Sequence, residues 1–181
     1  MNRRISTAWM GASALLLAGF LVPTPAAKAG ETRGSEQVSK LLSEAKTLAF
    51  QVKEDAIAME GFTRMNVSLE SHAAAINQIR NDVNALGKQV AKLKAAEDGA
   101  APWQKVAIER INPFLDELGG YTSAVIDQIK GDQKRNPAVY KDYLEANRDY
   151  ATDLAAMIAE FVDYGNAKER IDRLGAKLEV K

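Results

Sequence analysis

The sequence predicts an all-α protein, an antiparallel up-down-up-down four-helix bundle with an N-terminal signal peptide and a C-terminal helical extension. Three observations carry this. Apolar residues recur at alternating steps of three and four along four long segments, a spacing that lines one face of a helix and no face of a strand. Short polar or glycine- and proline-bearing breaks separate those segments, and short connections between long helices make neighbours antiparallel. The chain has no cysteine, so its stability rests on packing alone, for which a domain of about 150 residues has enough core.

Arg3 and Arg4 open the chain, a 15-residue mostly apolar stretch follows from Ala8 to Val22, and Pro23-Thr24-Pro25 leads to Ala27-Lys28-Ala29 before Gly30. A basic start, a short apolar middle and a small-residue cleavage site make a secretory signal peptide over 1–29. The apolar stretch falls short of the roughly 20 residues a spanning helix needs, so cleavage after Ala29 is expected rather than retention as an anchor. Ser6 and Thr7 stand where twin-arginine signals carry apolar residues, which favours the ordinary secretory route. The expected location is the periplasm or the medium outside the cell.

Removing 1–29 takes Arg3, Arg4 and Lys28 with it and leaves 21 basic against 24 acidic residues. With both signs interspersed, no basic surface for sustained phosphate contact is expected, and nucleic acid is excluded as a partner.

Residues 30–34 read as a flexible leader, with Ser35 as the N-cap of a first helix over 35–60. Its seam is Val38, Leu41, Ala45, Leu48, Val52 and Met59, interrupted by Asp55. Gly61 followed by Phe62 fits a glycine C-cap. The second helix, 63–96, keeps the alternation from Phe62 and Met65 through Leu69, His72, Ile76, Ile79, Val83, Leu86, Val90 and Leu93. Lys88, Lys92 and Lys94 suit its negative end, and Gly87 suggests a close approach.

The third helix, 102–130, follows Glu97-Asp98-Gly99-Ala100-Ala101 and carries Ile108, Ile111, Leu115, Leu118, Thr122, Val125 and Ile129. Pro113 falls inside it. Asn112-Pro113 is also a good helix start, but the seam stays in phase across it, so a kinked single helix is preferred to a break. After 131–135, Asn136 and Pro137 supply an N-cap and first-turn proline for the fourth helix, 137–164, whose seam is Tyr140, Tyr143, Asn147, Tyr150, Leu154, Met157, Phe161 and Tyr164. Gly165 then either ends that helix, with Asn166 and Glu169 capping a short terminal one, or bends it. The extension 165–181 is expected at the end that holds Trp103, which reads as a plug for the bundle.

Two polar residues interrupt otherwise apolar seams. Counted from the first hairpin, Asp55 and His72 each lie about eight residues from the turn and belong in one layer. The second hairpin brings Tyr143 to that level, with Thr122 and Asn147 about one turn further in. A buried layer of Asp55, His72, Tyr143, Asn147 and Thr122 would have to be internally hydrogen-bonded. Its bland reading is an Asp–His pair that fixes register; its functional reading is a pocket for a small ligand or metal anchored by His72.

No metal site is expected, because one histidine and no cysteine cannot supply three or more ligands of the usual kind. Glu70-Ser71-His72 misses the Glu-x-x-His spacing of metal-carboxylate bundles, and haem attachment through Cys-x-x-Cys-His is impossible. No cofactor is expected. Nor is any catalytic residue: there is no cysteine nucleophile, no serine motif beside His72 and no glycine-rich phosphate loop. These exclusions leave an exported, non-enzymatic bundle that works by protein–protein interaction, with an unidentified partner or with itself, and without a membrane anchor once the signal is removed. The alternative is a carrier of a small ligand or metal around His72. An interaction protein should leave an apolar stripe outside, for which Ala73, Ala74 and Ala75 are the candidates.

Overall fold

The computed structural model describes residues 25–65, 67–130 and 136–179, with side chains from Ser35 onward. The basic start and apolar stretch of the expected signal peptide lie outside the described residues, as does the 131–135 connection. Among the described residues the chain is all-helical. Four α-helices, α1 (Pro25–Gly61), α2 (Leu69–Ala95), α3 (Pro102–Lys130) and α4 (Pro137–Leu178), are joined by 3₁₀ turns at Phe62–Arg64 and Glu97–Gly99 and by the 131–135 segment.

Cross-helix pairs set the directions. Gln89 on α2 meets Leu41 and Glu44 on α1, Lys46 and Glu60 on α1 meet Asp163 and Arg148 on α4, and Trp103 and Thr122 on α3 meet Tyr164 and Asn147 on α4. In the α1–α4 and α3–α4 cases the number rises on one helix as it falls on the other, and Phe62, just past the end of α1, meets His72 in the first turns of α2, so each of these pairs is antiparallel. It follows that α2 and α3 are antiparallel too. α1 packs on α2 and α4, α3 packs on the same two, and the α1–α3 diagonal is sparse.

The seams of α2 and α3 are buried from His72 to Leu93 and from Ile108 to Val125, but at the seam ends Met65 and Leu69 are exposed and Phe62 and Ile129 only half-buried. In α1 the phase differs. Val38, Ala45, Val52 and Met59 are buried as expected, but the alternate positions are Leu42, Ala49 and Ala56, each one residue past Leu41, Leu48 and Asp55. A bundle helix buries more than a two-position stripe, and this phase keeps the Asp55 carboxylate at water, avoiding the cost of burying a charge. The same slip in α4 buries Leu144, Ala151, Ile158 and Val162, while Tyr143, Tyr150 and Phe161 become half-buried flanks.

Boundaries differ from expectation at four places. Residues 30–34 are not an irregular leader but part of α1, so Ser35 is no N-cap; Ala26, Ala27 and Ala29 are strong helix formers, and glycine costs only about 1 kcal/mol in a helix. Gly61 has right-handed backbone angles rather than a left-handed cap, because the chain tightens straight into the 3₁₀ turn. The second helix begins at Leu69 rather than residue 63, where Ser68 caps it by accepting from the Ser71 amide at 3.2 Å. α4 runs unbroken past Gly165 to Leu178 and ends on Glu179, whose backbone is left-handed. α3 likewise continues through Pro113.

α3 begins with one half of a capping box. Gln104 is fully buried; its Oε1 accepts from the Ala101 amide at 2.8 Å, the role of the third residue in a capping box. Its Nε2 donates to the Ser35 carbonyl at 2.8 Å and to Ser39 Oγ at 3.0 Å, fastening α3 to α1. At 37 and 42 residues, α1 and α4 are roughly 55 and 63 Å long, against roughly 40 Å for α2. The last turns of α4 and the first turns of α1 therefore run beyond α2 and α3 at the Trp103 end.

Candidate functional site

The five residues expected in one polar layer fall into four places. His72, in the first turns of α2, is buried, with Nδ1 hydrogen-bonded to the Tyr140 hydroxyl at 2.7 Å. Phe62 meets its ring edge-on with centroids 5.4 Å apart. Thr122 and Asn147 form a second pair: Asn147 Nδ2 donates to Thr122 Oγ1 at 2.7 Å, and Thr122 donates to the Leu118 carbonyl at 2.8 Å. Asn147 Oδ1 has no hydrogen-bond partner among the described residues. Tyr143 is half-buried on the α3 side, near the ring of Tyr121.

Asp55 is in neither pair. The one-residue phase difference in α1 puts it on the flank, where Gln51 donates to both its oxygens at 3.1 Å. It faces Asp82 on α2, whose carboxyl is held above the usual range first by burial and then by the neighbouring Asp55 carboxyl. The expected Asp55–His72 pair is therefore absent among the described residues, and Tyr140 takes the place beside His72. The tyrosine was legible as a seam residue; its role as the histidine's partner was not.

A different buried charge sits at the same end. Glu60 is buried and accepts from Arg64 at 2.6 Å, with Arg148 of α4 at 3.6 Å. Both arginines neutralise it, as a buried carboxylate requires. No group of three or more His, Asp or Glu side chains is placed to hold a metal among the described residues, and no helix there is long and apolar enough to cross a membrane.

The opposite end carries the longer line of exposed apolar side chains; Met65 and Leu69 are exposed at the His72 end. Gly165 is buried beneath Trp103, so close that a Cβ there would lie 2.7 Å from the indole. Trp103 in turn meets Tyr164 edge-on at 5.4 Å. Beside them an open groove of about 310 Å³ runs between α3 and α4, lined by Trp103, Val106, Arg110, Glu160, Phe161 and Tyr164. Arg110 lies over the Phe161 ring, 5.7 Å from its centroid. The apolar line continues along α4 past the bundle end through Ile171, Leu174 and Leu178, which are 68%, 48% and 66% exposed, after Tyr164 at 55%.

The spacing 164, 171, 174, 178 is a heptad seam, with Ala167 completing it. The stripe expected on Ala73–Ala75 is not left outside: Ala73 is half-buried, Ala75 packs against the core and only Ala74 is exposed. The three residues of the tail were legible as a terminal helical pattern. Their exposure depends on where α3 starts relative to α4, which the sequence alone does not display. Comparison of the chain with protein-family models, with curated proteins and with solved structures finds no match.

Proposed function

We propose that this protein is an exported, non-enzymatic helical bundle that acts by protein–protein contact in the periplasm or outside the cell, through the seam that α4 carries past the bundle end. The observation that carries the reading is the line of Tyr164, Ile171, Leu174 and Leu178. An exposed apolar line rimmed by polar residues marks an interaction surface, and helix seams of this spacing recruit other helices. Export rests on the three-part N-terminus, and the absence of enzymatic activity on the lack of any nucleophile, base and acid constellation in the sequence.

A photo-crosslinking residue placed at Leu174 in cells should capture a protein adduct, whereas the same residue at Glu54, on the exposed face of α1, should not. No adduct at 174 would overturn the interaction reading. N-terminal sequencing of the recovered protein should begin at Gly30; a chain that retains Ala8–Val22 would overturn cleavage. The carrier reading would return if native mass spectrometry showed excess mass that disappears in His72→Leu.

A further inference from the structure

We propose that the occupant of the α4 seam is a second copy of this chain, docked antiparallel across a two-fold axis near residue 169. The axis lays each tail along its partner's seam and brings Leu178 to the mouth of the partner's Trp103–Val106–Phe161 groove. This deepens the interaction reading and rests on it.

The first argument is complementarity within one molecule. The chain exposes a groove that has no helix over it and a helix that has no groove under it, both on α4 and about 15 residues apart. A two-fold operation that pairs 164 with the partner's 174, and 167 with the partner's 171, satisfies both features twice, as an isologous interface does. Those pairings alternate first and fourth heptad positions, the layering of antiparallel helices.

Charge supplies the second argument. The groove is lined by Glu160 and Arg110, Asp163 stands next along α4 and meets Lys46 of α1 at 3.1 Å, and the tail carries Lys177 and Glu179. The antiparallel register sets the partner's Lys177 opposite Asp163 and beside Glu160, and the partner's Glu179 toward Arg110, so unlike charges meet at both ends of the interface. Lys168 and Arg170 approach their own copies near the axis, but Lys168 already reaches Asp172 in its own helix at 3.6 Å, and salt screens the rest.

Area supplies the third. A parallel pairing of the tails would join only two heptads and leave the groove open, whereas stable interfaces bury roughly 1,200 Å² or more. The antiparallel pairing adds Trp103, Val106 and Phe161 to the covered surface.

The absence of cysteine makes the test clean. Sedimentation equilibrium on the protein as the cell produces it should show a monomer–dimer equilibrium. Ile171→Glu, at an exposed position that leaves the bundle intact by circular dichroism, should weaken it by about 100-fold. Under mild oxidation, a mixture of Tyr164→Cys and Leu174→Cys proteins should give the mixed disulfide, and Leu174→Cys alone should give none. A 174–174 disulfide in preference to 164–174 would refute the antiparallel geometry. A monomer at all concentrations that still gives the adduct at 174 in cells would overturn self-pairing while leaving the interaction reading in place; a monomer with no adduct would overturn both.

Discussion

Two glycines inside helices should respond to alanine with opposite signs. At Gly87 in α2, an added Cβ would meet nothing nearer than Leu115 at 3.9 Å, an ordinary contact, so Gly87→Ala should gain the helix-propensity difference of about 1 kcal/mol. At Gly165 the added Cβ would lie 2.7 and 3.0 Å from two atoms of the Trp103 ring, and that ring is also held by Tyr164. Neither glycine has a positive φ, so backbone strain plays no part. At Gly165 the same gain of about 1 kcal/mol is set against an overpacking cost of about 1–3 kcal/mol, for a net loss of about 1 kcal/mol, or roughly 2–4 °C in Tm. Thermal and urea unfolding followed by far-UV circular dichroism measures both variants. In a Trp103→Ala background the clash is gone, and Gly165→Ala should become stabilising by about 1 kcal/mol, a coupling of about 2 kcal/mol between the two sites. A Gly165→Ala protein as stable as wild type with Trp103 present, or an unchanged effect after Trp103 is removed, would refute the close-approach argument.

Asp82→Asn should change the pH dependence of stability. Because the folded-state pKa of Asp82 is raised, mainly by burial and then by Asp55, its contribution is complete below the unfolded carboxylate pKa and is lost as pH rises through the folded one. The amide should therefore stabilise at neutral pH, by roughly a few tenths of a kcal/mol for a group still partly in water, with the gain fading in acid; urea midpoints across the acidic range measure it, and a gain that persists in acid would contradict the assignment. Thr122→Val removes the partner of Asn147 Nδ2 and should cost about 1–3 kcal/mol in urea unfolding, the penalty for a buried polar group left unpaired. Asn147→Leu removes a side chain whose Oδ1 is already unpaired among the described residues and should cost less than Thr122→Val; the reverse order would show that the pair is not what holds this layer. Tyr140→Phe should cost about 1–2 kcal/mol by taking the hydroxyl from His72. His72→Leu with Tyr140→Phe should lie closer to wild type than the two single losses added, which a double-mutant cycle reads directly.

How far the sequence could be read depended on whether a helix had one seam or two. In α2 and α3 every seam position from Ile76 to Leu93 and from Ile108 to Leu118 is a large aliphatic whose neighbours, Phe114 apart, are polar or small, so only one phase buries them all. In α1 the runs Leu41-Leu42 and Leu48-Ala49 offer two phases that share Val38, Ala45, Val52 and Met59. The deciding term was electrostatic, since one phase buries Asp55 and the other buries Ala56. Choosing the phase with the larger side chains placed Asp55 beside His72 and created the polar layer. The buried glutamines Gln89 and Gln104 carried no periodic signal. Gln104 was nonetheless within reach of sequence reasoning, because it stands three residues after Ala101 and just past Pro102, where a capping-box glutamine belongs. Ser68 stood likewise ahead of Glu70 in a first turn, hidden by an apolar alternation that continued upstream through Phe62 and Met65.

The Gln104 latch also sets how much of the N-terminus the folded protein can do without. Its acceptors on α1 are the Ser35 carbonyl and the Ser39 hydroxyl. A peptidase acting after Ala29 would stop six residues short of the first of them and leave the joint between α1 and α3 whole. Trimming that passed Ser35 would strip an acceptor from a buried amide, so the chain's tolerance of N-terminal erosion should end abruptly at that residue rather than decline by degrees.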